Sequence, residues 1–422
     1  MYIMLYLFLL SVLILLAYNK FHSFFNFVSV FSGIWFIFGI ISCLGMYGMR
    51  KPSLTTHICV WLFVVSVSCL FLMFCKNESR ALKDISHLSV RNGKTMCILT
   101  YILLLPLFIK ILNKYIQTGN FSEVRLYYFS GTVFNSMIQD MLLRTFPIGM
   151  LEALVIYYVF LSFDKHQHKL LLYAVFNSLL ITFINGGRYG IMLLIYSIVI
   201  LLMTNNFKIN KLTIIRKYKK RIRNIAVLST GIMFLITAIR GQAVLKSIVM
   251  YFSGSLSYLD YIISNPSIFA LDKPTNGYLT FGVVTEPIVL IMKTMGLTSI
   301  KVPSYEFNIY CQQYYNIGTG TKEVLINANT SIIYYFLRDF GILGIFIGAI
   351  FVSSATIYAY NNWKSRGNKF YGMIFVYMCY TLFNSLMTYQ FFGTMPLFIF
   401  FTLYLLNGHT NHTKSHNRGI AI

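Results

Sequence analysis

Five arginines stand apart from the chain's basic clusters: Arg125, Arg144, Arg188, Arg240 and Arg338. Each lies at or near the end of an apolar run. A guanidinium keeps its charge and presents a planar fork of donors, which matches the oxygens of a phosphate or diphosphate. Arg188, Arg240 and Arg338, at the ends of neighbouring runs, make a candidate anion site, with Arg125 in the preceding segment. Taken singly, each has another reading, because an arginine near a membrane face snorkels to the headgroups.

Acids are scarce, twelve in 422 residues, and six lie between Arg240 and Asp339: Asp260, Asp272, Glu286, Glu306, Glu323 and Asp339. A base must reach the hydroxyl that it deprotonates. Asp339, Asp260 and Glu286 are the candidate catalytic carboxylates, with Glu306 and the span residue Glu152 behind them. Asp339 follows Arg338, so pairing with an arginine is the competing role. Gly186 and Gly187 let the backbone before Arg188 turn sharply or approach a ligand, and a plain interhelical turn accounts for them equally. Tyr251, Tyr258, Tyr261, Tyr278, Tyr305, Tyr310, Tyr314 and Tyr315 offer faces to sugar rings, although tyrosine is also an ordinary interface residue. The stretch from 240 to 339 has no histidine and a single cysteine, Cys311, so neither a metal site nor a disulfide framework is expected there.

The elements that must hold these residues are membrane spans. The chain is 57% hydrophobic and 11% charged, against about 25% charged in a soluble protein. Its mean hydropathy is +0.66. Apolar runs of membrane-crossing character fall at roughly 2–18, 24–46, 54–75, 96–112, 147–163, 170–185, 189–205, 224–239, 340–360, 370–387 and 391–407. The expectation is an all-α polytopic membrane protein of eleven spans, or twelve if 128–146 also crosses. The first run lacks a basic head and a cleavage site, so it is expected to be a retained helix.

The net charge of +23 does not point to nucleic acid, because the basic residues sit in short loops between apolar runs. Loop 206–223 is the strongest cytoplasmic marker, and counting from it places 21 of the 35 lysines and arginines inside. Arg50 and Lys51 fall outside and offend the rule, and a twelfth span would invert the N-terminal third. The expected division is a transmembrane bundle at 1–239, a large extracytoplasmic loop at 240–339, C-terminal spans at 340–407 and a cytoplasmic tail at 408–422. The loop holds four of the eight prolines and many aromatics, so it is expected to be folded, with Lys246 to Ile263 lying along the membrane surface.

Asn-Gly-Gly-Arg-Tyr-Gly, Asn185 to Gly190, resembles the small-Gly-Arg element of the O-antigen polymerase family, the oligosaccharide repeat-unit polymerases. Arg240-Gly241, Tyr251-Phe252-Ser253-Gly254 and Asp260 resemble that family's approach to its large loop. Asn329-Thr330 and Arg338-Asp339-Phe340-Gly341-Ile342-Leu343-Gly344 resemble its loop exit, an acid-Phe-Gly-x-x-Gly pattern. The resemblance spans about 185–344 and rests on the order of short motifs around one loop. It implies a GT-C-like, all-helical glycosyltransferase of the bacterial inner membrane with its active site facing the periplasm. Such an enzyme takes polyprenyl-diphosphate-linked oligosaccharide units and moves the growing chain onto the terminal sugar of the next unit. By carry-over, Arg188 and Arg240 are the diphosphate ligands, Arg338 or Asp339 comes next, and no cofactor is needed. A membrane chain-length regulator is the implied partner.

Two rivals stand beside this reading. An O-antigen ligase shares the architecture, but ligases typically use a histidine in the large outer loop, and this loop has none. A flippase or transporter for the same lipid-linked sugar would favour repeat symmetry, and the chain shows no internal repeat.

Overall fold

The computed structural model describes residues 1–76, 88–129, 133–134, 136–165, 167, 169–204, 231, 244–311, 313–320, 322–327 and 329–407. Arg240, loop 206–223, the tail 408–422 and all of run 224–239 except Gly231 lie outside the described residues.

Helices account for about three quarters of it. They are α1 (Tyr2–Phe21), α2 (Phe27–Cys43), α3 (Leu54–Phe74), α4 (Val90–Thr118), α5 (Phe121–Phe129), α6 (Phe146–Asp164), α7 (Leu170–Ile184) and α8 (Tyr189–Thr204). After the undescribed stretch come α9 (Val244–Ser264), α10 (Gly282–Thr294), α11 (Pro303–Cys311), α12 (Ile332–Arg366), α13 (Lys369–Asn384) and α14 (Met395–Leu406). A two-residue antiparallel pair, β1 (Tyr315–Asn316) with β2 (Leu325–Ile326), is the one sheet among the described residues. Local signals set several ends. Asn26 accepts the Ser29 N–H at the head of α2, and Asn368 accepts the Phe370 N–H at the head of α13. Left-handed Gly119 and Gly367 close α4 and α12.

Among the described residues, five helical runs are long and apolar enough to cross a membrane: 2–21, 54–74, 90–118, 138–164 and 332–366. The other apolar helices are shorter, as in α2, α7, α8 and α14. The fold is that of an all-α membrane protein. Its centre is α6, in which every residue from Pro147 to Phe163 is buried. A helix apolar all round belongs inside a bundle, and α4, α7, α8 and α14 surround it. A second group packs α3 against α12, α1 against α2, and α9 against α2.

Segment 128–146 is not a separate span among the described residues. Its first part ends α5, and Met137–Asp140 with the π turn Met141–Thr145 runs straight into α6. Nor does 246–263 lie on the surface. In α9 the serines that read as a watery face are bonded inward: Ser253 donates to the Phe38 carbonyl (3.2 Å) and Ser257 to the Arg50 carbonyl (2.7 Å).

Polar contacts sort the connections to two ends of the bundle. At one end Asn361 joins Phe74 and Lys76, Lys364 Nζ donates to the Thr204 carbonyl, and Lys369 pairs with Asp164. At the other, Arg50 pairs with Asp260, the Thr319 N–H donates to the Gly48 carbonyl, and Arg125 reaches Tyr251. This is the partition that the lysine and arginine counts give. The inversion that a twelfth span imposes is incompatible with it.

Candidate functional site

Arg188 stands on the turn between α7 and α8. Asn185 Oδ1 accepts the Gly187 N–H at 2.8 Å, and Gly186 takes φ 57°, a conformation that favours glycine. A Cβ on Gly186 would sit 3.0 Å from the Phe121 carbonyl oxygen and 3.2 Å from the Arg125 nitrogen. The turn is thus pressed on α5, which brings the Arg188 and Arg125 backbones together. Tyr189 pins the far side of the turn: its hydroxyl donates to Glu152 Oε2 on α6 at 2.9 Å.

Both guanidiniums meet α9. Arg188 Nη1 donates to Ser247 Oγ at 3.1 Å, and its guanidinium lies 5.2 Å from the centre of the Tyr251 ring. Arg125 Nη1 donates to the Tyr251 hydroxyl at 3.3 Å. Ser247 and Tyr251 are one helical turn apart, so one face of α9 receives the pair. Burial pulls Arg188 below its ordinary pKa, and the charge of Arg125 adds to the pull, although a guanidinium stays protonated. Arg188 Nε and Nη2 are buried without a hydrogen-bond partner among the described residues. Neither arginine has a carboxylate partner there, and two like charges side by side are the arrangement that an anion relieves.

Other arginines differ. Arg144 is held by Asp140, its Nε donating to Oδ1 at 2.7 Å. Arg50 is ion-paired with buried Asp260 at 2.7 Å, which gives a reason for its place outside the basic clusters. Arg338 is 5% exposed, and its Nη1 has no partner among the described residues. It lies near Cys311, whose thiol is pushed up by burial and pulled back by Arg338. Cys311 is reached from α9 by the Tyr258 hydroxyl (3.4 Å), two turns beyond Tyr251. The structure therefore brings Arg125 and Arg188 together on α9, and no hydrogen bond or ion pair joins Arg338 to either among the described residues.

The acids are bound in different ways. α12 breaks at Phe340–Gly341, where Gly341 takes φ 60°, ψ −149°, a region essentially reserved for glycine. The break leaves the Arg338 and Asp339 carbonyls without their helical donors, and the N–H groups of Thr275 and Asn276 fill them at 3.2 Å each. The Asp339 carboxylate then accepts the Thr275 hydroxyl and the N–H groups of Leu279 (3.2 Å) and Thr280 (2.5 Å). It is fully buried and clamps loop 275–280 to the head of α12. Asp260 accepts the Ser53 N–H (2.7 Å) and the Thr56 hydroxyl (2.9 Å) besides pairing with Arg50.

Glu286, on α10, accepts from Ser304 through its N–H (3.3 Å) and hydroxyl (3.0 Å). Burial pushes its carboxyl up to about 7, against the pull of the Ser304 hydrogen bonds and of Arg144. The side chain of Glu306 lies outside the described residues. Sequence reasoning named two further contributors but gave them other roles. Tyr251 joins the two arginines rather than stacking as one tyrosine among many, and Glu152 anchors Tyr189 beside Arg188. The adjacency of Arg188 and Tyr189 was the available signal.

No protein-family model matches the chain, and no curated protein and no solved structure matches it.

Proposed function

We propose that the chain is a polysaccharide polymerase, a glycosyltransferase that joins polyprenyl-diphosphate-linked oligosaccharide units at the outer leaflet of a bacterial inner membrane. The observation that carries this reading is the convergence of Arg125 and Arg188 on Tyr251 with no carboxylate partner among the described residues. Donors fixed where charge develops stabilise a leaving diphosphate without reorganising. In the transfer, the anomeric carbon of the growing chain loses its bond to the diphosphate and gains one to a hydroxyl of the next unit. The hydroxyl proton goes to a base. Burial raises the Glu286 carboxyl to about 7, near where a general base works best. Asp339 and Asp260 are engaged as clamps. The loop end of the bundle is then periplasmic, and a chain-length regulator is the expected protein partner.

The test is deletion of the gene in its native strain, with the surface lipopolysaccharide run on a gel. Core lipid bearing a single unit, without a ladder, supports polymerisation as the missing step. Bare core with polymer left on the carrier points to ligation. Bare core with single units trapped on the inner leaflet points to transport, and an unchanged ladder overturns all three.

A further inference from the structure

The two faces of α10 call for different surroundings. Its inner face is packed, with Val289 and Leu290 closing on Val302 and Glu286 turned to Ser304. Its outer face is open: Val284, Ile288, Ile291 and Met295 are each more than half exposed. Their spacing of four, three and four residues draws one stripe along the helix. The stripe runs on through exposed Leu297 and Ile300. A contiguous apolar patch of this kind marks an interaction surface.

Three observations identify what covers it. The first is depth. α10 packs on the segment Gln390–Phe392 and on α14, and Met141, at the head of the run that becomes α6, packs against its Val289–Leu290 side. The helix therefore lies across the ends of two apolar helices. The second is charge: Lys293, at the C-terminal end of the helix on the side away from the stripe, and Lys301, next to Ile300, are both exposed. The third is the position of the acid, since the single carboxylate between 282 and 301, Glu286, is buried on the opposite side. An amphipathic segment with an apolar stripe, ammonium groups at its C-terminal end and no exposed acid complements an anionic bilayer surface.

We propose that α10 is an interfacial helix, its Val284–Ile288–Ile291–Met295 face sunk into the leaflet at the loop end of the bundle, with anionic headgroups at Lys293 and Lys301. Glu286 rides on the other face of the same helix, seated against Ser304. The docking does not depend on which reaction the site performs.

The experiment uses the full chain reconstituted into vesicles of equal phosphatidylcholine and phosphatidylglycerol. Ile288→Trp and Ile291→Trp are each read against the emission of the parent's three tryptophans, with exposed Glu323→Trp as the aqueous control. The added emission at 288 and 291 is expected to fall about two-fold with lipids brominated near the glycerol end of the acyl chain, and to resist iodide. Replacing both Lys293 and Lys301 by Glu is expected to weaken that quenching in anionic vesicles and to leave it unchanged in neutral ones. Iodide quenching at 288 and 291 equal to that at 323 would mean a face open to water. Quenching by neither agent would mean a face covered by protein, whether a second copy or another chain. Either result overturns the proposal.

Discussion

Arg188 and Arg144 both stand at the end of an apolar run, and what separates them is a carboxylate. Asp140 neutralises Arg144, whereas Arg188 shares Tyr251 with a second arginine. Arg188→Ala and Arg125→Ala are each expected to cut polymer formation by about a hundred-fold or more, the scale for losing one fixed donor at a developing charge. Arg188→Lys should recover little, because a point charge cannot reproduce the fork. The readout is the ladder restored by each variant in a deletion strain, at matched protein levels in the membrane. Asp339→Ala is expected to act on the fold instead. It leaves the Leu279 and Thr280 N–H groups buried and unpaired, at about 1–3 kcal/mol each, which a fall in Tm in detergent would reveal. The sequence marked Arg188 and Asp339 alike, since type and spacing single out scarce charged residues. The Asp140–Arg144 pair, four residues apart, was within reach of the sequence, but the setting of Arg188 and the clamp role of Asp339 were not, because Tyr251 lies 63 residues from Arg188 and Thr280 lies 59 from Asp339.

At the scale of the element, the break in α12 and the two faces of α10 were the features least visible beforehand. The run Arg338 to Gly344 was legible as a motif, but its use of Gly341 to end one helix and start another needed the backbone angles. Gly341→Ala is expected to cost about 1–3 kcal/mol, the strain of holding a side chain at that φ and ψ, with Tm as the measure. Surface placement was expected of 246–263, whereas the exposed apolar stripe is at 284–295, because both segments mix apolar and polar residues at helical spacing and only packing decides which polar groups find internal partners. Glu286 gives α10 a pH dependence. Its carboxyl is raised from the ordinary 4.5 to about 7, so between those values the folded chain holds a proton that the unfolded chain has released. Stability from this group is fully present below about 4.5, falls as pH rises, and is gone above about 7. The window of 2.5 pH units corresponds to about 3 kcal/mol at most. Glu286→Gln should flatten the fall of Tm between pH 5 and 7.

At the scale of the whole molecule, hydrophobic runs and basic counts were enough to give a helical membrane bundle with its connections divided between two ends. Ten of the eleven expected runs fall on described helices, although several of these helices are short. The contact that most constrains the topology was not visible: Arg50, which offended the charge rule, is paired with an acid 210 residues along the chain. Asp260→Ala is expected to destabilise the protein by about 3–5 kcal/mol, because it strips the acceptor from Arg50, the Ser53 N–H and the Thr56 hydroxyl together. A double-mutant cycle with Arg50→Ala, read by thermal unfolding in detergent, should show a coupling well above the additive value. The large loop is thus fastened by one buried carboxylate to the α2–α3 connection and by another to the head of α12. A hybrid protein that received residues 244–339 alone would present Asp260 to a surface lacking its Arg50, Ser53 and Thr56, and would fail to assemble. One that received residues 48–56 as well would assemble, so two stretches far apart in sequence must travel as a single heritable part.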